Sequence, residues 1–290
     1  MTPDYVVVGH CALDVQPDGS FLPGGTVLYS ALTAARMGMS VGILTAGDPV
    51  AVAAALAPFE ESFAIHVLPT AATTTFENIP TPTGRKQTLH AWAGPIPPDA
   101  LPSAWRRAPI VHLGPIADEL PPDEWAEALG ADRDGAWRIA TPQGWLRRWG
   151  TLPSPVRHDT LALPPLLLDR LSAMVISVEE RDAAERAVRH VARHGLGAIT
   201  YGPLGVDILR GDATTRVATF PIAVRDETGA GDVFAAAWAV GLARGERPNI
   251  AARIACAAAS LSITAPGPHG IPTTAAIDAL LATNSDRGTQ

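Results

Sequence analysis

Seven consecutive residues near the end of the chain, Asp226-Glu-Thr-Gly-Ala-Gly-Asp232, combine small residues with carboxylates. An apolar, alanine-rich stretch follows at once and predicts a helix over 233–243. Gly229, Ala230 and Gly231 then occupy its first turn, where backbone N–H groups lack intrahelical partners and the helix dipole favours an anion. Such amides can stabilise a transferring phosphoryl group while Asp232 accepts the proton of an attacking hydroxyl. The alternative is a glycine turn in which Asp232 only caps the helix.

The basic residues restrict how this chain could bind ATP. The 290 residues include 22 Lys and Arg, of which Lys86 is the single lysine, and it lies in Gly-Arg-Lys-Gln. A P-loop needs Gly-Lys-Ser/Thr, so ATP would have to be bound without one. The segment Gly9-His-Cys-Ala-Leu-Asp14 also lacks the Gly-x-Gly-x-x-Gly of a nicotinamide-binding Rossmann enzyme. A net charge of −7 argues against a nucleic-acid partner.

Strand and helix patterns alternate along most of the chain and predict one α/β domain over 1–290, with a doubly wound, mostly parallel sheet flanked by helices. Short β-branched runs predict strands at 5–9, 41–45, 110–113, 137–140, 174–177 and 198–201. Helices are predicted at 27–37, 50–59, 123–129, 181–194, 233–243, 250–261 and 274–282. Two hairpins interrupt the alternation, one at 205–220 and one at about 73–93, which we expect to form a small β lid.

Two distant cysteines, Cys11 and Cys256, favour a reducing, cytoplasmic setting. The stretch 233–243 is the longest helical apolar run and is too short to span a bilayer, so no membrane association is expected.

The segment ending at Asp232 resembles the C-terminal signature of the ribokinase-like (PfkB) carbohydrate kinases, Asp-Thr-Thr/Val-Gly-Ala-Gly-Asp. It occurs where that family has it, in the final quarter of the chain before an alanine-rich helix. Asp14 matches the family's aspartate that holds substrate hydroxyls, and Gly24-Gly25 matches its paired glycines before the first long helix. Taken alone, Asp14 is as consistent with a loop residue and Gly24-Gly25 with a turn. The resemblance implies a kinase with Asp232 as catalytic base and residues 229–231 as an anion hole.

The resemblance also implies sites for ATP and Mg²⁺. Glu179 and Asp182 stand where the family has Asn-x-x-Glu near the magnesium, although both also suit the acidic first turn of a helix. Thr200, Gly202 and Gly205 match the loop that borders the nucleotide, and Gly267 matches the loop near the adenine. Some members bind a monovalent cation, which makes Asp226 and Thr228 candidate ligands of K⁺.

The acceptor is less sharply indicated. Many sugar and nucleoside members have asparagine where this chain has Tyr29, which makes Tyr29 a candidate substrate contact. The short gap between Asp14 and Gly24 leaves little room for lid strands. The lid would then depend on the hairpin, with Phe76, Asn78 or Trp92 as substrate contacts, or as packing and turn residues. Thr141-Pro-Gln143-Gly-Trp-Leu-Arg147 resembles an Asp-x-Gln-Gly-x-x-Arg segment of myo-inositol and related polyol kinases, with Thr141 replacing the aspartate. Gln143 and Arg147 suit hydroxyl or phosphate groups.

These observations favour an ATP-dependent kinase for a cyclitol such as myo-inositol, then a furanose or hexose, then a nucleoside. The rival interpretation is a sensor that binds a sugar or nucleotide on the same scaffold without transfer, and the altered Glu179/Asp182 pair is its best support. Relatives dimerise through lid strands, which makes a homodimer the candidate assembly.

Overall fold

Strands and helices alternate along most of the chain. The computed structural model describes residues 2–81, 84–130 and 135–284. Its strands are β1 (Tyr5–Val8), β2 (Ala12–Val15), β3 (Phe21–Gly24), β4 (Val41–Gly47), β5 (Phe63–Pro69), β6 (Thr75–Thr81), β7 (Gly84–Ala91), β8 (Ile110–Leu113), β9 (Trp137–Ala140), β10 (Arg147–Arg148), β11 (Ser154–Pro155), β12 (Arg157–His158), β13 (Ala173–Ser177), β14 (Leu196–Thr200), β15 (Val206–Arg210) and β16 (Ala213–Val217). Its α-helices are α1 (Thr26–Arg36), α2 (Pro49–Leu56), α3 (Pro122–Ala128), α4 (Pro165–Arg170), α5 (Arg181–Ala192), α6 (Ala230–Ala243), α7 (Pro248–Ser262) and α8 (Thr274–Thr283).

The main sheet has the strand order β16-β15-β14-β13-β9-β8-β1-β4-β5. From β5 to β14 neighbouring strands run parallel, and β15 and β16 extend the sheet as an antiparallel hairpin. The predicted fold class, a doubly wound and mostly parallel sheet, is therefore confirmed. Residues at the carboxyl ends of these parallel strands meet along one edge of the sheet, which is where such folds place their sites.

Helices cover both faces of this sheet. In β1, Tyr5 and Val7 pack against one helical layer while Val6 and Val8 pack against the other, the alternation expected for a strand buried on both sides. The first layer contains α1, α2, α6, α7 and α8, and the second contains α3, α4 and α5. No helix within the described ranges is long and apolar enough to cross a membrane.

A second sheet, with the order β11-β7-β6-β2-β3, covers the site edge. The hairpin of β6 and β7 was predicted, but the expectation that the gap between Asp14 and Gly24 leaves little room for strands is wrong. Two four-residue strands, β2 and β3, pair antiparallel across a turn at 16–20, and β2 pairs parallel with β6. The lid is therefore a five-stranded sheet, and Phe76 and Leu89 bury its inner face against Ile116 and Ala117 of the loop after β8.

Candidate active site

Helix α6 begins with an irregular turn that exposes backbone amides. Gly229 caps the helix in the left-handed conformation (φ 77°), and the ring of Tyr29 occupies the space that a β-carbon there would take. The N–H of Ala230 donates to the carbonyl of Glu227 at 3.2 Å. The N–H groups of Gly231 and Asp232 have no hydrogen-bond acceptor among the described residues. Of the predicted anion hole, Gly231 therefore presents a free amide and Ala230 does not, while the amide of Asp232 joins the set.

The carboxylate of Asp232 lies half-buried beside these amides. Its Oδ1 accepts a hydrogen bond from Thr26 Oγ1 at 2.8 Å, and its Oδ2 accepts none from a described residue. Burial raises the pKa of Asp232 to about 6, with Glu180 adding to the rise and Thr26 and Arg147 opposing it. A carboxylate with this pKa is ionised at neutral pH and is a better proton acceptor than an exposed aspartate.

A cavity of about 930 Å³ opens in front of α6. It is large enough for a small acceptor together with the phosphates of a donor. The predicted site residues that line it are Gln143, Arg147, Glu179, Thr200, Thr228, Gly229, Ala230, Gly231 and Asp232. Other residues in its wall were not predicted, among them Gln87, His158, Glu180 and Glu227.

Gln143 and Arg147 line the cavity but are also bonded to the protein. The Gln143 side chain donates through Nε2 to Thr26 Oγ1 at 2.7 Å and accepts through Oε1 from Arg147 at 3.0 Å. Arg147 is buried, donates to the carbonyl of Ile116 at 2.6 Å, and lies 5.3 Å above the ring of Phe76. Both polar ends of Gln143 are therefore engaged by protein groups.

The lid contributes a second hydrogen-bonded group. Asn78 donates to Asp14 Oδ1 at 2.8 Å and accepts from Gln87 Nε2 at 2.9 Å. Gly24 lies opposite Ala12 in the β2–β3 pair, and a β-carbon on it would be 2.6 Å from Asp14 Oδ2. Gly25 continues from this contact as the residue before α1. Of this hydrogen-bonded group, Gln87 lines the cavity. Its position opposite Asn78 in the β6–β7 pair could have been predicted from the hairpin register.

Tyr29, predicted as a substrate contact, is 3% exposed and lies behind the loop rather than in the cavity wall. Its ring supports Gly229, and its hydroxyl would be 3.7 Å from a β-carbon on Gly267. Phe76 is buried under Arg147, and Trp92 donates to the carbonyl of Ala117 at 2.8 Å. Tyr29 and Phe76 therefore pack against residues of the cavity wall, whereas Trp92 packs in the lid, and none of the three lines the cavity.

The acidic segment after β13 differs from the expectation in which carboxylates reach the cavity. Glu180 lies half-buried in the cavity wall and accepts the N–H of Ser177 at 2.7 Å, whereas Asp182 is exposed on α5 outside that wall. Glu179 lines the cavity as an exposed side chain. Of the two predicted residues, Glu179 therefore lines the cavity and Asp182 does not, and Glu180 is a carboxylate of the wall that sequence reasoning missed. Burial raises the pKa of Glu180, opposed by its hydrogen bonds to Ser177.

The predicted nucleotide side is only partly in the cavity wall. Thr200 lines the cavity, while Gly202, Gly205 and Gly267 do not. Asp226 accepts the N–H of Thr228 at 2.9 Å and the N–H of Gly267 at 2.8 Å, so it joins the loop before α6 to the loop before α8. Partial burial acts to raise the pKa of Asp226, but these hydrogen bonds outweigh it and hold the pKa below its ordinary value.

Magnesium and a monovalent cation have few protein ligands here. In the described part of the chain no three His, Cys, Asp or Glu side chains converge on one point. Glu179 and Glu180 in the cavity wall fit Mg²⁺, which is commonly held by one or two carboxylates, water and the phosphates of a nucleotide.

A buried polar row continues behind the cavity. Thr141 hydrogen-bonds His112 Nε2 at 3.0 Å, and His112 Nδ1 lies 2.6 Å from the hydroxyl of Tyr5. Burial lowers the pKa of His112 to about 3, so the ring is neutral. Thr141, which stands where the similar segment has aspartate, therefore places a neutral hydroxyl beside a neutral imidazole.

Comparison with known proteins identifies what this arrangement is similar to. Residues 170–274 match the model of the pfkB family carbohydrate kinases. A ribokinase of Bacillus subtilis (strain 168) is 43% identical over 84 residues, which is 29% of each protein. A cytidine kinase of Thermococcus kodakarensis is 27% identical over 270 residues, covering 83% of this chain and 89% of the kinase.

Among solved structures, the chain is similar to a pyrophosphate-dependent myo-inositol-1 kinase converted into a myo-inositol-3 kinase by mutation. The TM-score is 0.78 at 20% identity, over 96% of this chain and 99% of the other. At this identity the likeness concerns the fold, and it agrees with the predicted ribokinase-like architecture.

Proposed function

We propose that this chain, whose residues 170–274 match the pfkB family of carbohydrate kinases, transfers the γ-phosphoryl group of ATP to a hydroxyl of a small polyol or sugar. The observation that carries the proposal is the start of α6, where the carboxylate of Asp232 and the free amides of Gly231 and Asp232 face one cavity. That pairing supplies the two requirements of phosphoryl transfer, a proton acceptor and an anion site.

In the proposed reaction, an acceptor hydroxyl gives its proton to Asp232 as its oxygen bonds to the γ-phosphorus. The bond from that phosphorus to the bridging oxygen breaks, and ADP leaves. The amides at the start of α6 stabilise the charge on the transferring group without a lysine. Mg²⁺, when bound, neutralises charge on the donor phosphates, and Glu179 and Glu180 are positioned to hold it through water.

A cyclitol such as myo-inositol is the proposed acceptor. Such a molecule carries neutral hydroxyls around a ring, which suits the Asp14–Asn78–Gln87 group and the neutral Thr141. The fold likeness to a myo-inositol kinase supports this choice. A furanose or hexose is the second candidate and a nucleoside the third, the latter in keeping with the similarity to a cytidine kinase.

The sensor alternative depends on the altered acidic pair at Glu179 and Asp182. The presence of two carboxylates, Glu179 and Glu180, in the cavity wall supports the kinase over the sensor. The two buried cysteines, Cys11 and Cys256, form no disulfide, which is consistent with action in the cytoplasm.

The test is acceptor-dependent turnover. The protein is incubated with Mg·ATP and each of myo-inositol, other polyols, ribose, hexoses and cytidine, and both ADP release and the phosphorylated product are measured. Parallel reactions with pyrophosphate test the donor, because the similar inositol kinase is pyrophosphate-dependent. We expect phosphorylated cyclitol with ATP.

The control variant is Asp232→Asn, which keeps the shape of the side chain but removes the base. We expect it to bind ATP and to lower kcat by roughly a hundredfold or more, the range in which a positioned base contributes. A variant with nearly native kcat would exclude Asp232 as the base, and ADP release that no acceptor stimulates would favour the sensor.

A further inference from the structure

A directional row of hydrogen bonds leads from the lid to the base. Arg147 donates to Gln143 at 3.0 Å, Gln143 donates to Thr26 at 2.7 Å, and Thr26 donates to Asp232 Oδ1 at 2.8 Å. This row consists of Thr26, Gln143 and Arg147 and ends at Asp232. Thr26 is in the first turn of α1, Gln143 and Arg147 are in the segment after β9, and Asp232 is on α6.

The direction of every bond follows from the chemistry of its two ends. A guanidinium can only donate, so the carbonyl oxygen of the Gln143 amide must face Arg147 and its NH₂ must face Thr26. The Thr26 oxygen then accepts from Gln143, which leaves its single hydrogen for Asp232. An ionised carboxylate can only accept, so the row ends at Asp232.

The far end of the row is anchored by packing. Arg147 is 6% exposed, donates to the carbonyl of Ile116 at 2.6 Å, and lies against the ring of Phe76 on the lid strand β6. A buried arginine held by a carbonyl, an amide and an aromatic ring has little freedom to turn. The position of Gln143, and through it that of the Thr26 hydroxyl, is therefore set by the core between the lid and the main sheet.

We propose that Thr26 and Gln143 are positioning residues for Asp232: they hold Oδ1 so that Oδ2 is the oxygen presented to the acceptor hydroxyl. This assigns to Gln143 a role other than the substrate contact suggested by its sequence context, because both polar ends of its amide are already bonded within the protein. The inference rests on the proposed kinase function, in which Asp232 is the base.

The first test compares Thr26→Val with Thr26→Ser. Valine keeps the shape and removes the hydroxyl, whereas serine keeps the hydroxyl and removes a methyl group. We expect Thr26→Val to lower kcat roughly ten- to a hundredfold, the range of a hydrogen bond to a charged group, with the KM for the acceptor little changed. Thr26→Ser should recover most of the native kcat.

The second test reverses the direction of the row without breaking its anchor. Gln143→Glu can still pair with Arg147, but it places a second acceptor beside Thr26, whose one hydrogen cannot serve both carboxylates. We expect the melting temperature to be maintained by the new ion pair while kcat falls at least tenfold. If Gln143 instead contacts the acceptor, Gln143→Met should raise the KM and leave kcat near native.

The outcomes distinguish a failure of this inference from a failure of the proposed kinase function on which it rests. A wild-type protein that transfers phosphate to no acceptor overturns the kinase proposal and the positioning role together. An active wild type whose Thr26→Val and Gln143→Glu variants both keep native kcat overturns the positioning role alone. A loss of kcat in Thr26→Val that serine does not restore also counts against it, because the hydroxyl would then not be the group that matters.

Discussion

The surroundings of Asp232 disfavour its ionised form. The ordinary carboxyl pKa is 3.8, and burial raises that of Asp232 to about 6, with Glu180 adding to the rise. Between these values the folded chain retains a proton that the unfolded chain has lost. This group therefore stabilises the fold at a pH below its unfolded pKa, and the contribution is lost as the pH rises through about 6. At neutral pH the ionised Asp232 lowers the free energy of unfolding. The proposed phosphoryl transfer requires this ionised form.

Removing that charge should stabilise the protein while it abolishes the proposed activity. We expect Asp232→Asn to raise the free energy of unfolding at about pH 7.5 by on the order of 2 kcal/mol, and to give no gain at about pH 4, where Asp232 is protonated. Urea unfolding of both proteins at the two pH values measures this difference. Asp278→Asn, which removes an exposed carboxylate of α8, is the matched control and should show no such dependence. A gain of equal size at both pH values would contradict the argument.

At the scale of elements, the entry to α6 depends on two glycines with different constraints. Gly229 has left-handed backbone angles and is packed against Tyr29, whereas a β-carbon on Gly231 would have no atom within 4 Å. We expect Gly229→Ala to cost about 1–2 kcal/mol for the backbone angle alone, and more for the overlap with the Tyr29 ring. Gly231→Ala should melt near the native temperature.

The same glycine pair separates folding from phosphate binding. Because a methyl group on Gly231 would point into open space next to a free amide, any loss of activity in Gly231→Ala reports crowding of the donor rather than a damaged helix. Thermal melting and ATP titration of both variants make the comparison. Equal melting temperatures for the two alanine variants would show that Tyr29 does not constrain this turn.

Elements with a strong local pattern were predictable from the sequence, and elements defined by their partners were not. The strands Tyr5–Val8 and Ala173–Ser177 occur within one residue of their predicted positions because burial on both faces favours a nearly continuous apolar run. The strands Ala12–Val15 and Phe21–Gly24 were missed because they are short and stabilised by pairing with each other and with Thr75–Thr81. Helix Pro165–Arg170 was missed because a single turn and a half has too few residues to show a period.

The parts of the site that depend on local backbone geometry were predictable from the sequence. The parts in which side chains from distant segments meet were less so. The glycines before Asp232 indicate the start of a helix whatever the fold. Thr26, 206 positions away, carries no local signal that it donates to Asp232. Asp182 was predicted at the site and Glu180 was not, because neighbouring acids at 179, 180 and 182 are alike in sequence, and the turn after Ser177 places Glu179 and Glu180 in the cavity wall.

At the scale of the whole molecule, the cavity joins two sheets that otherwise have separate cores. Gln87 of the lid strand β7 shares its wall with Thr200 and Asp232 of the main body, so a ligand that fills it must contact both parts. Binding stabilises whatever conformation supplies all the contacts, and it suppresses local opening of the segments that supply them. The lid should therefore become more ordered when acceptor and donor are both present.

Hydrogen exchange can measure this coupling. With Mg²⁺ and a non-hydrolysable ATP analogue alone, we expect slower exchange at the start of α6 and little change in β6. Adding the acceptor should then slow exchange across β2 and β6, because Asp14 and Asn78 form one hydrogen-bonded group with the cavity residue Gln87. Strand β16, at the far edge of the main sheet, is the internal control and should be unaffected. Protection of the lid by the nucleotide analogue alone would contradict the assignment of the acceptor to the lid side of the cavity.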